Sequence, residues 1–133
     1  MRVVLDSNII VSACLTPEGA PATIVELALL GVFTCCVSRD VIAEYREVLS
    51  RPKFSRHSER IEVILEGIEE ISEIVSPESR LTVSPDEEDN RLLECALAGK
   101  ADVLVTGNQK HFPERLDKTR ILSPRAFLTE LGF

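Results

Sequence analysis

The segment VLVTGNQKHFP, residues Val103–Pro113, decides the fold of this chain. Its first three residues are apolar β-formers, which is typical of a buried strand in a parallel sheet. Ligand sites in open α/β sheets lie just beyond the carboxyl ends of such strands. The segment therefore predicts a strand that delivers Thr106 and Asn108 to a site. Gly107 between them is expected to let the backbone turn where a side chain would intrude.

The N-terminus repeats this pattern. The apolar run Val3–Leu5 ends at Asp6, Ser7 and Asn8. The carboxyl ends of parallel strands meet at one edge of a sheet, so Asp6 is expected to share a crevice with Thr106–Asn108.

Strand and helix patterns alternate along the rest of the chain. We predict further strands at Phe33–Val37, Arg80–Val83 and Arg120–Ser123, and a loop at Thr16–Pro21. Helices are predicted at Ala22–Leu30, from an N-cap at Ser38 to Leu49, at Ser55–Val75, at Glu87–Ala98 and at Pro124–Leu131. This alternation predicts an α/β protein with a three-layer α/β/α fold, a mainly parallel sheet and a single domain over residues 1–133.

Composition limits the class of protein. The chain is 44% hydrophobic and 28% charged, as in soluble globular proteins, and has no apolar run near the roughly 20 residues of a membrane helix. The apolar run at the N-terminus is too short for a secretory signal, so we expect a cytoplasmic protein with no membrane contact. The four cysteines lack zinc-site spacing and partnering histidines, so we expect buried, reduced thiols.

Charge is distributed unevenly. The formal net charge of -7 argues against a protein that binds nucleic acid over its whole surface. Arg39–Arg60 holds six Lys or Arg against four Asp or Glu, whereas Ile61–Glu94 holds two against eleven. A local basic surface therefore remains compatible with the sequence.

Three acids stand at positions suited to chemistry. Asp6 ends an apolar strand with no adjacent cation, Glu44 lies between apolar residues of a predicted helix, and Asp89 falls in the first turn of another. Gathered at one sheet edge, three carboxylates repel one another unless a divalent cation lies between them. Mg²⁺ and Mn²⁺ bind carboxylate and amide oxygens, and Asn108 could supply an amide oxygen. Such an ion can activate a water molecule to attack a phosphate group.

Each of these residues also has a simpler interpretation. Asp6 could cap the next segment, Glu44 could be a surface charge, and Asp89 could be one of four solvated acids in a DEED cluster. Lys110 and His111 could be ordinary loop surface. The functional interpretation rests on all the candidates falling on one predicted edge.

Three segments in order resemble the PIN domain family. They are VVLDSNIIVSA, SRDVIAEYREVLSRPKF and PDEEDNRLLECALAGKADVLVTGNQKHF, and together they span nearly the whole chain. The resemblance is to the toxin-like, VapC-like branch, in which Thr-Gly-Asn replaces Thr-Gly-Asp. It implies a PIN-like fold and a metal-dependent endoribonuclease that cleaves single-stranded RNA. It also implies the toxin role of a toxin–antitoxin pair, a small antitoxin partner and a homodimer.

The resemblance also assigns roles to residues. It makes Asp6, Glu44 and Asp89 the catalytic metal ligands, with Asn108 beside them, and Asn8, Ser38 and Thr106 auxiliary polar residues. Lys110 and Arg46 are interpreted as substrate contacts, Arg46 as part of a basic stretch that is equally a solvated helix end. The family commonly supplies a fourth acid near the position of Asn108, and its loss here fits one metal ion better than two.

Two alternative functions stay open. A catalytically inactive PIN-like module would bind RNA or protein only, in keeping with the missing fourth acid. A receiver-like phosphoacceptor domain has similar length and an acidic Mg²⁺ pocket, but it needs a pair of acids near strand one, where this chain has only Asp6.

Overall fold

The computed structural model describes residues 1–133, with six strands and six α-helices. The strands are β1 (Arg2–Leu5), β2 (Thr34–Val37), β3 (Glu73–Ile74), β4 (Val103–Val105), β5 (Arg115–Leu116) and β6 (Thr119–Leu122). The helices are α1 (Ser7–Leu15), α2 (Ala20–Leu29), α3 (Arg39–Leu49), α4 (Ser58–Ile71), α5 (Glu87–Ala98) and α6 (Pro124–Glu130). Short 3₁₀ helices occupy Pro52–His57 and Gln109–His111. No helix combines the length and the hydropathy needed to cross a membrane.

The strands form one sheet in the order β3-β2-β1-β4-β6-β5. Every neighbouring pair is parallel except β5 with β6. In the register of β1 with β4, Leu5 lies opposite Val105, so the next residues, Asp6 and Thr106, leave the sheet side by side. This confirms the predicted three-layer α/β fold with a mainly parallel sheet.

The central strands and the helices around them bury a single apolar core. Val3, Val4 and the whole of β4 are inaccessible to solvent, as expected for parallel strands covered on both faces. Tyr45 of α3 is also buried, and its hydroxyl donates a hydrogen bond to the carbonyl of Leu5. That bond ties α3 to β1 one residue before Asp6.

A helix that we did not predict begins directly after Asp6. In α1 the side chains of Ile9, Ile10, Ala13 and Cys14 are buried at helical spacing. The polar residues Ser7 and Asn8 start this helix instead of a loop. The chain therefore turns at Asp6 within one residue, which fixes where the Asp6 carboxylate points.

The predicted strand at Arg80–Val83 is wrong. The third strand is Glu73–Ile74, which pairs with β2, and Arg80–Val83 is irregular. The amide of Leu81 donates to the Glu94 carboxylate at 2.7 Å instead of to a neighbouring strand. The helix predicted to reach Val75 ends at Ile71 because the backbone becomes extended at Ser72.

All four cysteines are buried and unpaired, as predicted. Burial raises the pKa of both Cys35 and Cys95 to about 12, so neither thiol ionises near neutral pH. They act as small apolar side chains of the core.

Candidate active site

Asp6 lies at the carboxyl edge of the sheet and is only 7% exposed. Its carboxylate accepts hydrogen bonds from Thr106 Oγ1 at 2.7 Å and from Asn8 Nδ2 at 3.3 Å. Asp6 occupies the N-cap position of α1, yet its side chain makes no capping hydrogen bond. Burial raises the pKa of Asp6, and the hydrogen bond from Thr106 offsets only part of that shift.

Glu44 borders the same site from α3, where its side chain is half-buried. Its pKa is raised to about 8, first by burial and then by the nearby carboxylates of Glu88, Asp6 and Asp86. An isolated surface charge would not experience this repulsion. Glu44 therefore belongs to an acidic cluster at the edge of the sheet.

Asp89 enters the cluster from the first turn of α5 and is 8% exposed. It accepts a hydrogen bond from Ser84 Oγ at 3.3 Å, and His111 Nδ1 lies 3.7 Å from its Oδ2. Its pKa is raised to about 6 by burial and by Asp86 and Asp6, while Ser84 and His111 oppose the shift. Asp89 is thus set apart from the exposed acids beside it in the sequence.

Ser84 and Asn90 are site residues that the sequence reasoning missed. The amide of Ser84 donates to Asn90 Oδ1 and Asn90 Nδ2 donates to the carbonyl of Ser84, both at 2.8 Å. This reciprocal pair fixes the Ser84 hydroxyl next to Asp89. The sequence did hold a sign of this contact. Asn90 lies one helical turn before Leu93 and Glu94, on the buried face of α5, where a polar side chain needs a hydrogen-bond partner.

Asp86 and Glu88 are also part of the acidic cluster, although only the DEED run as a whole was noted from the sequence. Asp86 caps α5 by accepting from the amide of Glu88 at 2.9 Å. Both side chains are exposed, and both raise the pKa of Glu44. They add negative charge to the acidic cluster.

The Thr106–Asn108 turn is held by its neighbours. Thr106 Oγ1 accepts from the amide of Asn108 at 3.0 Å, and the amide of Gly107 donates to Asn8 Oδ1 at 3.2 Å. A Cβ at Gly107 would lie 3.6 Å from the Asn8 side chain, which is an ordinary contact. The expectation that a side chain would intrude at Gly107 is therefore wrong. Asn108 itself is exposed beside the cluster.

Ser38 and Arg46 make no hydrogen bond to the three predicted metal ligands. Ser38 is buried and caps α3, as its sequence position predicts, by accepting from the amide of Val41 at 3.1 Å. Arg46 Nη2 lies 2.7 Å from Glu69 Oε1 on α4. The structure therefore gives both residues contacts outside the acidic cluster.

Comparison with known proteins identifies the family. Residues 2–110 match the PIN domain family, and this range includes Asp6, Glu44, Asp89 and Asn108. The chain belongs to the PIN domain family. An uncharacterized protein of Methanocaldococcus jannaschii is 29% identical over 112 residues, covering 82% of this chain and 72% of that protein.

A solved structure shares the PIN fold of this chain. It is the crystal structure of VapBC2 from Rickettsia felis bound to a DNA fragment from their promoter, with a TM-score of 0.65. The match covers 92% of this chain and 98% of that chain at 21% identity. At this level of identity the likeness establishes the fold.

The donor chemistry of this PIN domain site fits a hard divalent cation. No Lys or Arg is ion-paired with Asp6, Glu44 or Asp89. Unpaired carboxylates with raised pKa values are the arrangement that a cation relieves, and Mg²⁺ and Mn²⁺ prefer oxygen ligands. No three His, Cys, Asp or Glu side chains are arranged closely enough to hold a metal ion. The three-carboxylate ligand set therefore stays a prediction.

The PIN domain assignment leaves the receiver-like interpretation without support. The sheet ends in an antiparallel strand, and Asp6 is the one acid that follows β1 directly. β4 ends at Val105, and Thr106 follows it in place of an acceptor carboxylate.

Proposed function

We propose that residues 1–133 form a single PIN domain that acts as a metal-dependent endoribonuclease on single-stranded RNA. The observation that supports this proposal is that Asp6 lies near enough to raise the pKa of both Glu44 and Asp89, while no Lys or Arg pairs with any of the three. PIN domain proteins are nucleases in general. Burying a carboxylate costs folding free energy unless a positive charge, such as a bound metal ion, compensates it.

Asp6, Glu44 and Asp89 are the residues that would hold Mg²⁺ or Mn²⁺. When bound, such an ion lowers the pKa of a coordinated water and offsets charge on the phosphoryl oxygens. Thr106 and Asn8 orient the Asp6 carboxylate, and Ser84 orients that of Asp89. These neutral donors fix the carboxylates without neutralising them, so the negative charge remains available to a metal ion.

Cleavage of a fluorescent single-stranded RNA tests the proposal. Purified protein is incubated with Mn²⁺, with EDTA, and in parallel with an Asp6→Asn variant prepared identically to expose contaminating nuclease. We expect cleavage that needs the metal and is lost in Asp6→Asn. Duplex RNA and single-stranded DNA of the same sequence serve as specificity controls. Equal cleavage by wild type and variant would remove the catalytic proposal.

We also propose that the protein is the toxin of a toxin–antitoxin pair, inhibited by a small antitoxin, and that it forms a homodimer. The fold shared with the Rickettsia felis VapBC2 structure supports this role. Induced expression should arrest growth of a bacterial host, whereas Asp6→Asn should not. Light scattering of the purified protein should give twice the chain mass of 14.8 kDa. Growth at the uninduced rate with wild-type protein present would contradict the toxin role.

An inactive binding module is the second candidate. It is favoured by Asn108 in place of an acid and by the absence of a preformed three-ligand group. This module would bind RNA with the same affinity in wild type and Asp6→Asn and cleave it in neither. The cleavage assay therefore separates the two candidates directly.

A further inference from the structure

A cavity of about 350 Å³ that no hydrophobic residue lines lies beside Asp89. Its lining residues are Ser84, Pro85, Asp86, Asp89, Lys110 and His111. The residues that precede and open α5 form one wall and the 3₁₀ helix after β4 forms the other. Asp89, a proposed metal ligand, thus shares a cavity with Lys110, which the sequence suggested as a substrate contact, and with His111.

The backbone beneath Lys110 and His111 is anchored. The amide of His111 donates to the carbonyl of Asn108 at 3.0 Å, and Phe112, the next residue, is buried. Gln109 Nε2 donates to the carbonyl of Ile121 in β6 at 3.4 Å. The two exposed side chains therefore project from a fixed segment instead of a free loop.

The wall formed by Lys110 and His111 offers nitrogen groups to an anion, and the carboxylates of Asp86 and Asp89 lie on the opposite wall. Lys110 is the only Lys or Arg in the lining, and no carboxylate lies within 4.0 Å of its ammonium group. His111 directs Nδ1 toward Asp89, which leaves Nε2 on the far side of the ring. A phosphate that approaches a cation held at Asp89 would meet both nitrogen groups, and Lys is a common point-charge partner of phosphate.

We propose that Lys110 and His111 form a phosphodiester-binding subsite, which takes a backbone phosphate next to the one that is cleaved. This inference rests on the proposed function. Phosphate contacts position a strand without reading its bases, so the subsite fixes the register of the strand at Asp89 and not its sequence. The same phosphodiester occurs in RNA and DNA, and the 2′-hydroxyl plays no part in this subsite.

Binding is measured with Asp6 intact, and the RNA carries phosphorothioate linkages that resist hydrolysis, so the proposed metal site is kept and the strand stays whole. The probe is a fluorescein-labelled 12-nucleotide single-stranded RNA, followed by anisotropy with Mn²⁺ and with EDTA over a range of salt concentrations. Lys110→Gln is compared with Lys100→Gln. Lys100 is exposed, as Lys110 is, and its substitution removes the same charge. It precedes β4, however, and therefore lies at the opposite edge of the sheet. His111→Ala tests the second side chain.

Lys110→Gln should weaken RNA binding roughly fivefold and lower the slope of log K against log salt by about 0.7, the value for one phosphate contact on a single strand. Lys100→Gln should change neither quantity, and His111→Ala should weaken binding less than Lys110→Gln. A single-stranded DNA of the same sequence should respond to Lys110→Gln equally. A purely structural role for Lys110 would leave the salt slope unchanged.

The outcomes separate the subsite from the proposed function. If the protein with Asp6 intact binds RNA but Lys110→Gln and Lys100→Gln behave alike, the subsite is wrong and the nuclease proposal stands. If Lys110→Gln affects RNA but not DNA, the subsite recognises more than a phosphodiester and the inference is overturned. If no RNA binds at all, the subsite falls together with the proposed RNA substrate. Unchanged melting temperatures of the variants exclude misfolding as the cause of a loss.

Discussion

The hydroxyl of Thr106 joins the two strand ends of the site. It donates to Asp6 and accepts from the amide of Asn108, and Thr106 is wholly buried. A buried carboxylate depends on such donors, because loss of one leaves its charge less satisfied. At the scale of single residues, the site is therefore controlled by neutral side chains that hold the acids in place.

Thr106→Val should impair the site with little change in side-chain shape. We expect the free energy of unfolding at pH 7 to fall by about 1–3 kcal/mol, since a hydrogen bond to a charged group is lost. RNA cleavage should fall at the same time. Urea denaturation and the fluorescent RNA assay measure the two effects.

Thr119→Val is the matched control for Thr106→Val. Thr119 is also buried, and its Oγ1 donates to the carbonyl of Ala101 at 2.6 Å, away from the acids. This variant should lose stability but keep activity. Equal loss of activity in both variants would contradict a site role for Thr106.

Glu44 should make the metal-free protein less stable as pH rises. Its folded-state pKa is about 8 against an ordinary 4.5, so between these values the folded chain binds more protons than the unfolded chain. The free energy of unfolding in EDTA should therefore be highest near pH 4.5 and decrease towards pH 8. Glu44→Gln should make this decrease shallower.

Urea denaturation at several pH values measures the effect of Glu44. Glu70→Gln on α4 serves as control, because Glu70 is exposed and forms no ion pair. The control should follow the wild-type pH dependence. A wild-type slope in Glu44→Gln would show that other groups dominate the pH dependence.

At the scale of elements, the irregular segment between β3 and α5 decides where Asp89 lies. It is held to α5 by the Ser84–Asn90 pair and by Glu94, which is buried. Glu94 accepts from the amide of Leu81 and pairs with Arg91 at 2.8 Å and Arg80 at 3.4 Å. Beyond Val75, whose amide donates to the carbonyl of Val37 in β2, this segment is held by side chains of α5 instead of by a strand.

Glu94→Ala should release this segment. We expect the free energy of unfolding to fall by about 2 kcal/mol, because the amide of Leu81 loses the buried carboxylate that accepts its hydrogen bond. Limited proteolysis should then cut between residues 75 and 86. Glu130→Ala is the comparison, since its 2.6 Å pair with Arg120 lies at the surface and is worth at most about 1 kcal/mol. Equal destabilisation by both changes would contradict the anchoring role.

At the scale of the whole molecule, a metal ion bound at the proposed site would couple metal binding to folding. The proposed ligands come from the end of β1, from α3 and from α5, elements that unfolding separates. A cation that binds only the folded chain adds about 2.7 kcal/mol at a concentration one hundred times its dissociation constant.

Mn²⁺ should therefore raise the melting temperature of the wild-type protein by several degrees. Asp6→Asn and Asp89→Asn should show much smaller shifts. Glu70→Gln should respond as the wild type does, because it changes net charge equally on an exposed helix face. Differential scanning fluorimetry with EDTA as the reference measures all four proteins. A similar shift in every variant would indicate binding outside the acidic cluster.

The amino-acid sequence by itself determined the features that local pattern encodes. The buried runs Val3–Leu5 and Val103–Val105 are strands because they are apolar throughout, and α5 begins at Glu87 and ends at Ala98 as predicted. Ser38 caps α3 because its hydroxyl reaches a nearby amide. The pairing of Asp6 with Thr106 also followed, since parallel strands bring their carboxyl ends to one edge.

Only the tertiary structure decided what depends on contacts between distant segments. The third strand is Glu73–Ile74 and not Arg80–Val83. Glu73–Ile74 pairs with the free edge of β2, whereas the amide of Leu81 is bound by the Glu94 carboxylate. The tertiary structure also brought Glu44 close to Glu88 and Asp86. These contacts depend on how α3 and α5 pack around the sheet. The periodicity of one segment shows which of its faces is buried, but not which other segment packs against that face.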